Sequence, residues 1–137
     1  MKKGQYIKNI IFQADKNADF LNQAFGWNGK QCYKTIWKYS ETCDVWMVRF
    51  YENDNKEWRN WFVDENEDVL KEYYMGTSSV WNGKPIQQPS QIKHRIVVAI
   101  EDRGVHRYYQ IKGVYVCDVK KSTAEKRIYN RVSDYLP

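Results

Sequence analysis

The chain has 137 residues, 42% of them hydrophobic and 28% charged, with a formal charge of +5. That length fits one domain, residues 1–137, with one real core. The composition excludes a disordered chain, and no apolar run reaches the length of a membrane-spanning helix.

In chain order, residues 5–13 (YIKNIIFQA) suit a first strand or a short helix, and periodicity leaves both open. Asn17–Phe25 reads as a short helix capped by Asn17, with Phe20, Leu21 and Ala24 on one face and a stop at Gly26. Asn28-Gly29 marks a turn. Residues 32–39 alternate as a strand, with Thr35, Trp37 and Tyr39 opposed to Lys34, Ile36 and Lys38. Residues 44–51 form the best central strand, and residues 58–63 are expected to return beside it as an antiparallel hairpin across the turn formers of 52–57. Residues 64–75 open with acids and carry Val69, Leu70, Tyr73 and Tyr74, the pattern of a short helix. Residues 76–91, rich in Gly, Pro, Ser and Asn, predict a long surface loop.

Residues 94–102 read as a buried strand, and Arg103-Gly104 turns the chain. The next run, residues 106–118, is aromatic and β-branched but interrupted by Gly113. A glycine inside a strand signals a bulge or bend, the device by which a sheet curls towards a barrel. Ser122 and Glu125 match a capping box, which predicts a helical turn; the closing RIYNRVSDYL suits either its continuation or a final strand. The sum is an α+β domain: five or six strands in a curved, mostly antiparallel sheet or partly open barrel, with two or three short helices.

Three widely spaced cysteines, at 32, 43 and 117, offer no zinc spacing and read as reduced, buried thiols. The start, MKKGQYIKNIIF, breaks its apolar stretch with Lys8 and Asn9, so no signal peptide is expected and the chain reads as cytoplasmic. Charge is uneven: residues 1–68 carry ten basic and eleven acidic side chains, residues 69–137 twelve and six. Such asymmetry points towards a polyanionic partner, against the plainer reading of a solubilising surface. Six tryptophans and eleven tyrosines are many for so short a chain, and some of them must build the core. Trp37 and Trp46 fall on adjacent predicted strands with Tyr33 nearby, which suits the walls of an aromatic cage or ordinary core packing. Trp27, in a Gly/Asn turn, and Trp81, in the long loop, read as loop or lid residues or as pins for their loops.

The segment Tyr109-Gln-Ile-Lys-Gly113-Val-Tyr115-Val116 resembles the core strands of the PUA-like superfamily, and of its SRA domains in particular. Asp118 and the closing RIYNRVSD resemble the small reader domains attached to modification-dependent restriction nucleases. The resemblance implies a pseudobarrel whose mouth holds a modified base flipped out of DNA. Aromatic rings would stack on that base, and an acid such as Asp118 or Asp44 would accept from a cytosine amino group. It also implies phosphate contacts from Lys30, Lys34, Lys38, Arg103 and Arg107, no metal or other cofactor, and a nuclease fused to or paired with the domain. Asp118 has a second reading, as a strand-end carboxylate accepting backbone N–H bonds. His94 and His106 begin strands among basic residues, and Glu125, Lys126, Arg127 and Arg131 read as a solvated face.

Two other functions compete. One is a small ASCH-like hydrolase or ribonuclease using Lys34, Thr35, Glu101 and His106, although no motif groups these residues into a catalytic constellation. The other is a protein-binding module or a phage-type inhibitor of a nucleic-acid enzyme.

Overall fold

The β-branched and aromatic runs are realised as strands almost throughout. The computed structural model describes residues 1–50, 57–76, 80–81, 83–89 and 93–137, with the side chains of 80 and 81 excepted. Its elements are β1 (Ile11–Gln13), α1 (Asn17–Phe25), β2 (Ile36–Lys38), β3 (Cys43–Val48), β4 (Trp58–Phe62), β5 (Val69–Tyr74), β6 (Val80–Trp81), β7 (Lys84–Pro85), β8 (His94–Arg103), β9 (His106–Cys117) and β10 (Lys126–Ser133). Eight strands make one sheet in the order β2-β3-β8-β9-β10-β5-β4, with β1 added on β9, while β6 and β7 form a separate small pair. Among the described strands only β3 and β8 run parallel, so the sheet is mixed but mostly antiparallel.

Each face of the sheet has its own core. On one face Val45, Met47, Ile96, Val98, Tyr109 and Ile111 meet Phe20, Leu21 and Ala24 of α1. Phe20 stacks on Tyr109 at 4.6 Å between centroids. On the other face Trp46, Val48, Leu70, Val97, Tyr115, Cys117 and Tyr129 form a second cluster. β2 and β4 end the sheet order without joining each other, so the curled sheet is an open pseudobarrel.

The bend falls at the interrupting glycine. Val97 pairs with Gly113 but Val98 pairs with Ile111, leaving Lys112 as the extra residue of a bulge. Gly113 has φ +135°, and a Cβ there would lie 2.9 Å from Arg131 Cδ and 3.3 Å from the Ser133 carbonyl. Glycine therefore lets β10 cross close against β9. Arg131 in turn pairs with Asp68 and Asp134. Tyr115 Oη donates to the Glu67 carbonyl at 2.6 Å, and Lys112 pairs with the Glu67 carboxylate at 2.9 Å. These three anchors fix the turn between β4 and β5, so the β4–β5 hairpin leans over the second core.

Several expectations are corrected. Among the described residues, the 58–63 run pairs with β5 and not with β3, because β3 is already held by β2 on one side and by β8 on the other. Residues 69–74 are a strand rather than a helix. Leu70, Glu72 and Tyr74 share a face, and pairing with both β10 and β4 overrides the local helical pattern. The acids before it build a turn instead, with Asn66 N–H donating to Asp64 Oδ1 at 3.0 Å and Glu67 at φ 58°. Only one α-helix occurs among the described residues. Its N-cap is Lys16, without a side-chain cap bond, while Asn17 Oδ1 accepts from Tyr109 Oη at 2.7 Å. The last segment takes its strand alternative. Ser122 starts no helix: its buried hydroxyl donates to the Asp118 carbonyl at 2.6 Å and accepts from Ile128 N–H at 2.9 Å. Ser122→Ala leaves that N–H and that carbonyl unpaired and is expected to lower stability by about 1–2 kcal/mol, measured by urea unfolding.

Cys43 and Cys117 are buried and Cys32 half-buried, all three as free thiols. Burial pushes the Cys43 thiol up to about 11. No helix among the described residues is long and apolar enough to cross a membrane.

Candidate nucleic-acid interface

Strand periodicity assembles the site. Residues of one parity on β3, β8, β10, β5 and β4 point into the hollow of the sheet: Trp46, Arg95, Arg127 with Tyr129, Glu72, and Trp58 with Asn60. Asn60 lies directly opposite Glu72, and Glu72 directly opposite Arg127, so three strands lay an amide, a carboxyl and a guanidinium in one row. A cleft of about 810 Å³ opens there, lined also by Thr35 and Ile36 at β2, Arg49, and the segment Lys84–Gln87. Residues from both ends of the sheet order meet in one cleft, which marks it as the mouth of the pseudobarrel.

The floor is aromatic and cationic. The Arg95 guanidinium lies 5.2 Å from the Trp46 ring and 5.6 Å from the Tyr129 ring, and donates to Tyr129 Oη at 3.3 Å. No carboxylate within 4.0 Å pairs with Arg95 among the described residues. Arg127 lies 4.9 Å from the Trp58 ring. Glu72 is the one acid lining the cleft among the described residues, against the cations Arg49, Lys84, Arg95 and Arg127. Burial pushes its carboxyl above the usual range, opposed by Arg95, Arg127 and a hydrogen bond from Tyr129 Oη at 3.2 Å. Asn60 Oδ1 is buried and accepts no hydrogen bond. The cleft thus offers the remaining guanidinium donors of Arg95, a half-buried carboxyl and an orphan amide acceptor beside aromatic walls. These are the groups that read the edge of a heterocycle.

Of the residues expected to line a base pocket, only Trp46 is here, with the cleft side of its ring under Arg95. The register places Ile36, not Trp37, opposite Trp46. Trp37 therefore faces the helix side, 5.6 Å from Phe25 and 5.9 Å from Trp27. Tyr33 is 87% exposed and bonded to Gln31, away from both. Asp118 accepts from Lys121 N–H at 3.2 Å in the β9–β10 turn, its strand-end alternative, and Asp44 pairs with Lys93 at 2.8 Å. Trp27 is half-buried against the first core, and the Trp81 side chain lies outside the described residues. Lys38, Arg103 and Arg107 are paired with Glu41, Glu101 and Asp102, whereas Lys30 and Lys34 are exposed.

Sequence reasoning missed Asn60, Glu72, Arg95 and Arg127. The usable signal was parity: in VLKEYY an acid alternates with Leu70 and Tyr74, and in WRNWF an amide alternates with Trp58 and Phe62. An acid or amide on an otherwise apolar strand face is a buried polar group that needs a reason.

A curled, open mixed sheet with a polar, aromatic cleft at its mouth defines a PUA-like domain. Residues 6–137 match SRA, the SET and RING associated domain. The chain belongs to the SRA family, a class of modified-DNA reader. Among solved structures it is similar to "The 5-Hydroxymethylcytosine-Specific Restriction Enzyme AbaSI", with 21% identity and a TM-score of 0.63. The match covers 94% of this chain and 41% of that one, and the likeness is one of fold. No curated protein sequence matches the chain.

Proposed function

We propose that the chain is a non-catalytic reader of modified DNA that takes a cytosine turned out of the duplex into the β4–β5–β10 cleft. The observation that carries this reading is the row Asn60–Glu72–Arg127 beside Arg95: a half-buried carboxyl, an unpaired acceptor and the remaining donors of Arg95 at one aromatic-walled mouth. Extruding a base costs a few kcal/mol of stacking, which an aromatic wall at Trp58 and hydrogen bonds to the base edge offset. Glu72 accepts from the cytosine amino group, Arg95 donates to the ring carbonyl, and Asn60 Oδ1 faces the 5-substituent. An orphan acceptor suits a substituent with a hydroxyl donor. The similar restriction enzyme is named for 5-hydroxymethylcytosine, and that base is the ligand proposed here. Lys30, Lys34 and Lys84, all exposed, supply phosphate contacts. Cleavage, in this reading, belongs to a separate nuclease domain or chain.

Labelled duplexes carrying one cytosine, 5-methylcytosine or 5-hydroxymethylcytosine test this by fluorescence anisotropy. The hydroxymethyl duplex is expected to bind tightest. Asn60→Leu is expected to remove its advantage over the methyl duplex, roughly tenfold, the worth of one buried hydrogen bond. Absence of binding to every duplex at low salt, where counterion release favours association most, would overturn the reading.

A further inference from the structure

Arg127 sits in the site in an unusual way. Its guanidinium lies over Trp58 at 4.9 Å, with Nη1 4.0 Å from Glu72 Oε1. Two of its donors go to backbone: Nε to the Ala124 carbonyl at 3.3 Å and Nη2 to the Gln87 carbonyl at 3.2 Å. Gln88 adds a parallel tie, Nε2 to the Ser122 carbonyl at 2.6 Å. One planar fork therefore touches the aromatic wall on β4, the carboxyl on β5, the turn leading into β10, and the 84–88 segment that closes the cleft. Arg95, the other guanidinium near Glu72, spends one bond on Tyr129 and keeps the rest of its fork for the cleft.

We propose that Arg127 is the positioning residue of this cleft, holding Trp58, Glu72 and the Gln87 backbone at a fixed spacing without touching DNA itself. The inference rests on the cleft being the reading site. Lysine cannot take the role, because a single ammonium cannot satisfy two carbonyls and a carboxyl in one plane while covering an indole face. A phosphate-contacting arginine would behave differently in one measurable respect: its loss would lower the salt slope of binding by about one.

The test compares wild type, Arg127→Lys and Arg127→Met on the hydroxymethyl duplex, over a salt series and a pH series. Both variants are expected to bind about tenfold or more weakly with an unchanged salt slope. Around Glu72 stand Arg95 on β8, Arg127 and Tyr129 on β10, and Asn60 on β4. Removing the Arg127 charge leaves Arg95 as the carboxyl's cationic neighbour among the described residues. The pH midpoint of binding should therefore move upward in Arg127→Met and stay near wild type in Arg127→Lys. A salt slope reduced by about one with an unmoved pH midpoint would overturn the proposal and make Arg127 a phosphate contact. Wild-type affinity in Arg127→Lys would overturn it too. Should Arg127→Met fail to fold, the lysine variant alone decides, by its affinity and salt slope. Failure of wild type to bind any duplex would be a failure of the reader function, seen before any variant is compared.

Discussion

Glu72→Gln is expected to keep the affinity of wild type for a hydroxymethylcytosine duplex and to lose its pH dependence, while Glu72→Ala binds about 100-fold more weakly. Cytosine presents a donor at its amino group and an acceptor at the adjacent ring nitrogen. A neutral carboxyl matches that pair, accepting with one oxygen and donating from the other; a carboxylate can only accept. Burial holds the Glu72 proton above the ordinary value of 4.5 despite Arg95, Arg127 and Tyr129. Wild-type binding should therefore weaken as pH rises through that raised value. Glutamine carries the same acceptor and donor at every pH, so its profile should be flat. Alanine removes both bonds, and a bidentate base contact is worth about 1–3 kcal/mol, which sets the scale of its loss. Anisotropy titrations carried upward from the ordinary carboxylate range follow the transition. A flat wild-type profile, or a glutamine variant as weak as alanine, would remove Glu72 from the reading role.

The same carboxyl leaves a mark on stability without any DNA. Its folded value lies above the unfolded one, so between 4.5 and the raised value the folded chain holds more protons than the unfolded chain. Stability then falls as pH climbs through that window and levels off above it. Glu72→Gln has no such proton to lose. Urea midpoints should favour the variant increasingly as pH rises from 4.5 through the raised value. This measurement separates burial of the carboxyl from its contact with a base.

The legible and illegible parts of the chain divide along one physical line. Local chemistry showed through: α1 with its stop at Gly26, the buried β8, the turn at Gly104, the bulge at Gly113, and the resemblance carried by residues 109–116. Long-range pairing did not. Nothing in residues 58–63 says that their partner is β5 and not β3, because that choice is made by β8 arriving in parallel beside β3 from fifty residues away. The helical look of 64–75 is real at the level of propensity and is overruled by two flanking strands. Since Glu72 was placed on a helix, its parity with Leu70 and Tyr74 went unused, and the cleft lost its acid. The two rings expected to face each other part for a related reason. Trp37 and Trp46 do lie on neighbouring strands, but an offset of one residue in register sends their rings to opposite faces.

Gly113→Ala is expected to destabilise the domain by about 3 kcal/mol, read from the urea midpoint, and to weaken DNA binding in whatever remains folded. Part of that cost is conformational: φ +135° is a region that residues with a Cβ rarely enter, and such strain costs about 1–3 kcal/mol. The rest is steric. The added methyl would lie 2.9 Å from Arg131 Cδ. Arg131 is poorly free to retreat, because Asp68 and Asp134 hold its guanidinium from two sides. Overpacking of this kind costs about 1–3 kcal/mol. The two parts separate in a double-mutant cycle. Trimming Arg131 to alanine should relieve the steric part alone, so the pair should be less destabilising than the sum of the singles by about 1 kcal/mol. Additive losses would mean that the methyl meets no resistance from Arg131, leaving the Ser133 carbonyl and the backbone conformation as the source of the cost. The effect on binding follows from the anchors: Arg131, Tyr115 and Lys112 fix the turn that leans β4 and β5 over the cleft. A chain that flattens at Gly113 should carry Asn60, Trp58 and Glu72 away from Arg95 even where the sheet itself survives.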